Sequence, residues 1–263
     1  MNRKTRLWSL LAAGLALVVL FCSCHTKGRS RVRAGEKSLP RIILWAWERP
    51  EDLEFLDPQR FGVAFLAQTL VLQNDEVILR PRHQPLKVSP QVKLIAVTRI
   101  ESQKTTGKRV ALSAAQRESL VTLILKTLVL ENVSAIQVDF DAAVSERDFY
   151  RRLLQDLREK LPDHVPLSMT ALASFCVGDR WLGDLPVDEA VPMIIRMGAD
   201  DLKIRDFLAT GNDFREPLCR RSYGSALDEP VEMKADPSRR LYVFNNHSWS
   251  AADVALLEDR ISK

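Results

Sequence analysis

The chain has 263 residues, 46% hydrophobic and 27% charged, with a net charge of +4. That is an ordinary globular composition, which excludes a disordered or fibrous chain. The positive charge is not gathered into the clustered basic face that nucleic-acid binding needs, so nucleic acid is excluded as a partner.

The N-terminus reads as an export signal. Arg3, Lys4 and Arg6 precede an uncharged apolar run from Leu7 to Cys22, and a polar, basic stretch follows from His25 to Arg33. A charged n-region before a short apolar run is the layout of a secretory signal, and the run is short for a spanning helix. An uncleaved N-terminal anchor is the alternative. Phe21-Cys22-Ser23-Cys24 resembles a bacterial lipobox, with Cys24 as the residue that would carry the lipid. These residues predict a signal over 1–24, a linker over 25–39 and one domain over 40–263. The expected location is the cell envelope, facing the periplasm or the exterior, with the membrane as a partner through the N-terminal anchor. Loss of Arg3, Lys4 and Arg6 takes three charges from +4 and leaves +1. Cys176 and Cys219 then remain, to pair in an oxidising compartment or to pack as buried thiols.

The 239 residues left after a 24-residue signal are close to the roughly 250 of a (β/α)8 barrel. The first predicted strand, Arg41–Trp47, is almost wholly apolar, as parallel strands buried on both faces are. Glu51–Leu56 reads as a helical turn and Gly62–Leu66 as the second strand. Thr69–Leu79 reads as an inserted hairpin turning at Asn74-Asp75. Val92–Ile100 is the third strand.

Ser113–Glu131 is the clearest helix, with Ser113 and Gln116 spaced as a capping box. The fourth strand is Val133–Asp141. Ser145 caps a helix that ends before Pro162. Strands follow at Leu167–Leu172, Val191–Met197, Cys219–Leu227 and Leu241–Asn245. Short helices cover Asp200–Leu208 and Ala251–Ile261. Eight strands alternating with helical stretches predict a TIM-type (β/α)8 barrel, irregular where the connections after strands one, two, five and seven lack a full helix. An open doubly wound sheet is the alternative.

Catalytic groups in such folds sit at the C-terminal ends of strands. There the sequence places Trp47 and Glu48, Arg99 and Glu101, Asp139 and Asp141, Arg196, and Asn245 with Trp249. Period two puts Gln137, Asp139 and Asp141 on one strand face. Carboxylates side by side can split their pKa values and serve as acid and base. Asp141, Asp139 and Glu48 are therefore the catalytic candidates. Trp47, Glu101, Arg99, Arg196, Asn245 and Trp249 are the substrate-binding candidates. No histidine or cysteine set has metal-ligand spacing and no glycine loop would cradle phosphate, so neither metal nor cofactor is expected. Oligomeric state is left open.

Ala135-Ile136-Gln137-Val138-Asp139-Phe140-Asp141 resembles the fourth-strand motif of chitinase-type glycoside hydrolases. Gln137 stands for the first aspartate of that motif's alternating triplet, Asp139 for the second, and Asp141 for the glutamate acid. Trp45–Leu53, Gln137–Ala142, Ser168–Ala173 and Val191–Met193 together resemble the bacterial family domain of unknown function 3142. The first resemblance implies a glycoside hydrolase acting on a polysaccharide. The second implies a barrel with no established reaction. Enzyme and tethered, non-catalytic envelope binder both stand as readings, with carbohydrate as the ligand.

Overall fold

The computed structural model describes residues 39–103, 109–230, 233 and 235–262. The expected signal, Cys24 and nearly all of the expected linker lie outside these residues. Leu39, the linker's last residue, is buried with the barrel core.

Among the described residues, eleven strands and five α-helices follow in chain order. The strands are β1 (Ile42–Ala46), β2 (Glu51–Leu53), β3 (Phe61–Gln73), β4 (Glu76–Pro81), β5 (Leu86–Val88), β6 (Leu94–Ser102), β7 (Val133–Asp139), β8 (Leu167–Leu172), β9 (Glu189–Met193), β10 (Ser222–Ala226) and β11 (Arg240–Phe244). The helices are α1 (Ala114–Lys126), α2 (Arg147–Lys160), α3 (Ala173–Val177), α4 (Asp201–Ala209) and α5 (Ala251–Ser262). The sheet runs β1-β11-β10-β9-β8-β7-β6-β3, and β1 also pairs with β3 in parallel. That last pairing closes the ring. The protein is a (β/α)8 barrel, and the open-sheet alternative fails on the β1–β3 ladder.

The inserted hairpin is not separate from the barrel. β3 runs on past a register shift between Leu66 and Gln68, and β4 pairs antiparallel with this extension. Such a bulge bends and twists a strand, which lets its second half leave the barrel wall. The expected helical turn at Glu51–Leu56 is instead β2, paired in parallel with β5. This local pairing, made with residues some thirty-five positions away, leaves no periodic signal.

α1 starts as its sequence indicates, with Ser113 and Gln116 exchanging reciprocal capping bonds. It ends at Lys126 in a 3-10 turn rather than running to Glu131. α1 and α2 pack with the outer faces of β7 and β8 in the largest core cluster. α5 covers β1, β3 and β11. The barrel interior holds Ile43, Trp45, Leu66, Ile95, Val97, Val191 and Tyr242. Gly224 is required there, because a Cβ would come within 2.8 Å of the Pro192 carbonyl and 3.0 Å of Trp45. A disulfide joins Cys176 of α3 to Cys219 just before β10, so the paired reading of the two cysteines holds.

Candidate functional site

Alternation along β6 and β7 carries the interior face upward from Val97 to Arg99 and from Gln137 to Asp139. The two upper residues are register partners, Arg99 opposite Asp139. β7 stops at Asp139, two residues before its expected end, so Asp141 stands on the loop above the strand and is exposed. The three polar residues of the motif thus have three environments: a sealed amide, a half-buried carboxyl and an open carboxyl.

Gln137 is fully buried. Its Oε1 accepts from Trp45 Nε1 at 2.9 Å and its Nε2 donates to Ser168 Oγ at 3.2 Å. Both ends of the amide are thus met by neutral partners. Lower in the barrel, Tyr242 donates to Glu189 at 2.6 Å, and Arg240 pairs with the same carboxylate at 2.8 Å. Gln137 belongs to the structural interior.

Asp139 accepts a 2.6 Å bond from Thr170 Oγ1 on β8. Burial pushes its carboxyl above the usual aspartate range, more strongly than the Thr170 bond pulls it down. The charges of Asp141 and Glu101 add to the rise and Arg99 opposes it. Partial burial raises the Asp141 carboxyl as well, again against Arg99. Beneath them Tyr150 is buried, with its hydroxyl donating to the Val138 carbonyl at 3.3 Å. Burial and the two aspartates hold its phenol well above its ordinary range.

A cleft of about 570 Å³ opens here, lined by Arg80, Arg99, Glu101, Asp139, Asp141 and Glu146 among others. The hairpin forms its side wall through Val71 and Arg80 and leaves it open. Glu101 lies 3.2 Å from Arg99 and 4.0 Å from Arg80. Asp139, Asp141, Arg99 and Glu101 are therefore brought together. The arrangement sets carboxyls raised above the usual aspartate range at an open cleft, where one can exchange a proton with a group bound there.

The other candidates lie elsewhere. Trp47 is half-buried, with Met193 and Phe244, at the edge of the interior core. Glu48 is exposed on the loop after β1 and does not line the cleft among the described residues; its charge acts on Arg82. Arg196 is exposed beyond the end of β9, which stops at Met193. Asn245 is buried, 3.3 Å from His247, and its carbonyl accepts from Arg49 at 3.1 Å. Trp249 corrects the expectation of a surface stacking residue. It is 4% exposed, and its indole donates to the Trp45 carbonyl at 3.0 Å. A tryptophan at a strand-to-helix junction fills core space as readily as it faces a ligand.

Two residues with no sequence signal shape the rim. Arg82 donates to the carbonyls of Trp47, of Ala46 at 3.4 Å and of Arg49 at 2.6 Å, pinning the loop that carries Glu48. Glu51 is buried and accepts from the Trp249 backbone at 2.8 Å. Among the described residues no three histidine, cysteine or acidic side chains converge as a metal site would require.

No family model matches the chain, and no curated protein matches its sequence. The resemblance to domain of unknown function 3142 thus has no matching family model behind it. Solved structures do match. A family GH18 chitinase from Chromobacterium violaceum aligns over 78% of both chains at 11% identity, with a TM-score of 0.50. The Bacillus cereus spore cortex-lytic enzyme SleL aligns over 72% of this chain at 16% identity and a TM-score of 0.47; this chain spans 52% of that structure. The chitinase domain of the spore coat protein CotE from Clostridium difficile aligns over 81% of this chain and 67% of its own, at 13% identity and a TM-score of 0.43. The likeness is one of fold, with the barrel of a glycoside hydrolase as its reference point.

Proposed function

We propose that the protein is an exported, lipid-anchored glycan-active barrel that works on a polysaccharide through Asp139 and Asp141. The observation that carries this is the pair itself: a half-buried Asp139 bonded to Thr170, beside an open Asp141, both raised above the usual range at the mouth of a barrel cleft. Asp141 donates its proton to the glycosidic oxygen. Burial holds the Asp141 carboxyl above the usual aspartate range, which favours its protonated form, and the charge of Asp141 in turn raises Asp139. Glu101, in the same cleft, takes a proton from the attacking water. Cys24 carries the anchor, and the reading is compatible with membership of domain of unknown function 3142.

The second reading is a tethered binder without catalysis. It is favoured by Gln137 and Asp141, which depart from the residue types of the chitinase motif. One experiment separates the two. The domain from residue 39 onward is screened for reducing-end release and for binding on a polysaccharide panel, as wild type and as Asp141→Asn. Loss of an acid catalyst costs about 10²–10⁴-fold in rate while binding persists. Binding without release by the wild type selects the binder. No binding and no release sinks both. Globomycin treatment of cells and a palmitate label test the anchor separately: Cys24→Ala should abolish labelling.

A further inference from the structure

The far side of the same mouth carries a feature the acid pair does not use. The Phe244 ring, at the end of β11, has the Arg49 guanidinium carbon 5.8 Å and the Arg196 guanidinium carbon 5.7 Å from its centroid. Phe244 sits with Trp47 and Met193 at the edge of the interior core, so two guanidiniums lie over one aromatic ring there.

Neither guanidinium has all its donors taken. Arg196 is exposed, and its side chain makes no ion pair among the described residues. Its backbone has φ 47°, a left-handed conformation that an arginine adopts at a cost and a glycine would not. The Glu229 carboxylate that accepts from its N–H is itself held by Arg205. Arg49 meets Glu51 only at 3.9 Å and gives one donor to the Asn245 carbonyl at 3.1 Å. Both guanidiniums keep donors to offer, and guanidinium presents them in the planar fork that a carboxylate fits.

We propose that this side of the mouth binds a carboxylate-bearing sugar ring, and hence that the polysaccharide is a uronate-containing one. The sugar's carboxylate takes Arg49 and Arg196, whose guanidiniums are steadied over Phe244, and the chain runs across the mouth toward Asp141. The inference rests on the glycan reading above and adds the charge of the substrate.

The test is a binding titration of the soluble domain with oligosaccharides of galacturonate, glucuronate and mannuronate, each beside its carboxyl-reduced neutral counterpart. At least one uronate should bind tenfold or more tighter than its neutral partner, and the preference should shrink from low to high salt as the charges are screened. Arg196→Gln, a change at an exposed side chain, should reduce the preference several-fold, and Arg49→Gln with Arg196→Gln should remove it, with melting temperature as the check on folding. Equal binding of uronate and neutral forms overturns this inference and leaves the glycan reading standing. So does a preference that survives the double substitution, because another cation would then read the charge. Binding of neither form overturns this inference, while the glycan reading is decided by the polysaccharide panel.

Discussion

Asp139 is held between opposing influences: burial raises its carboxyl, and Thr170 lowers it. Its folded pKa lies above that of an unfolded aspartate, so its contribution to stability is present below the ordinary aspartate range and is lost as pH rises through the raised value. Asp139→Asn should therefore melt above wild type near pH 8, with the gain fading as pH falls to about 3, below the ordinary aspartate pKa, where the carboxyl is protonated both folded and unfolded. Differential scanning calorimetry across that window checks the sign; a gain that grows on acidification would reverse it. Thr170→Val removes the bond that favours the ionised form. The Asp139 carboxyl should titrate higher still, and a lost hydrogen bond to a charged group costs about 1.5–3 kcal/mol. The alternation of Gln137, Asp139 and Asp141 was legible in the sequence. Their division into sealed, half-buried and open was not, because it depends on β7 ending at Asp139 and on partners thirty and ninety positions away.

At the scale of elements, the strands were legible because burial on both faces writes an uninterrupted apolar run. The capping box of α1 was legible because both of its partners lie within one turn. β2 was misread because three residues paired to a distant strand carry no period. The rim clamp was invisible for the same reason: Arg82 reaches carbonyls about 35 positions earlier, and nothing near it in sequence marks the role. Arg82→Gln should loosen the loop after β1 and lower stability by about 1.5–3 kcal/mol, measured by denaturant melts. Hydrogen exchange should rise at Trp47 to Arg49 and stay unchanged in α1, if the clamp acts only on that loop.

For the whole molecule, barrel closure rests on one ladder, β1 with β3, and the disulfide adds a covalent tie outside it. Cys176 and Cys219 are 43 residues apart. On a chain-entropy basis a loop of that length stabilises by about 4 kcal/mol. Replacing both cysteines with alanine should lower Tm on the order of 10 °C, at about 2–4 °C per kcal/mol for a chain of this size. An unchanged Tm would mean that the bond is not formed in the protein as isolated. Closure itself was legible only as a count of strands, since an open sheet offers the same apolar runs. What brings Arg99 and Glu101 to Asp139 and leaves Glu48 on another part of the rim is the cyclic order of the strands, which no single segment encodes.

The central claim is that the Asp139–Asp141 pair meets a polysaccharide. Carboxyl-selective ¹³C NMR of the soluble domain, titrated in pH with and without oligosaccharides of the best-binding polysaccharide, tests it most directly. Both aspartates should titrate above the ordinary carboxyl range in the free protein, and the Asp141 signal should move on addition of sugar. Two carboxyls that titrate at ordinary values, with an Asp141 signal indifferent to saturating oligosaccharide, would contradict it.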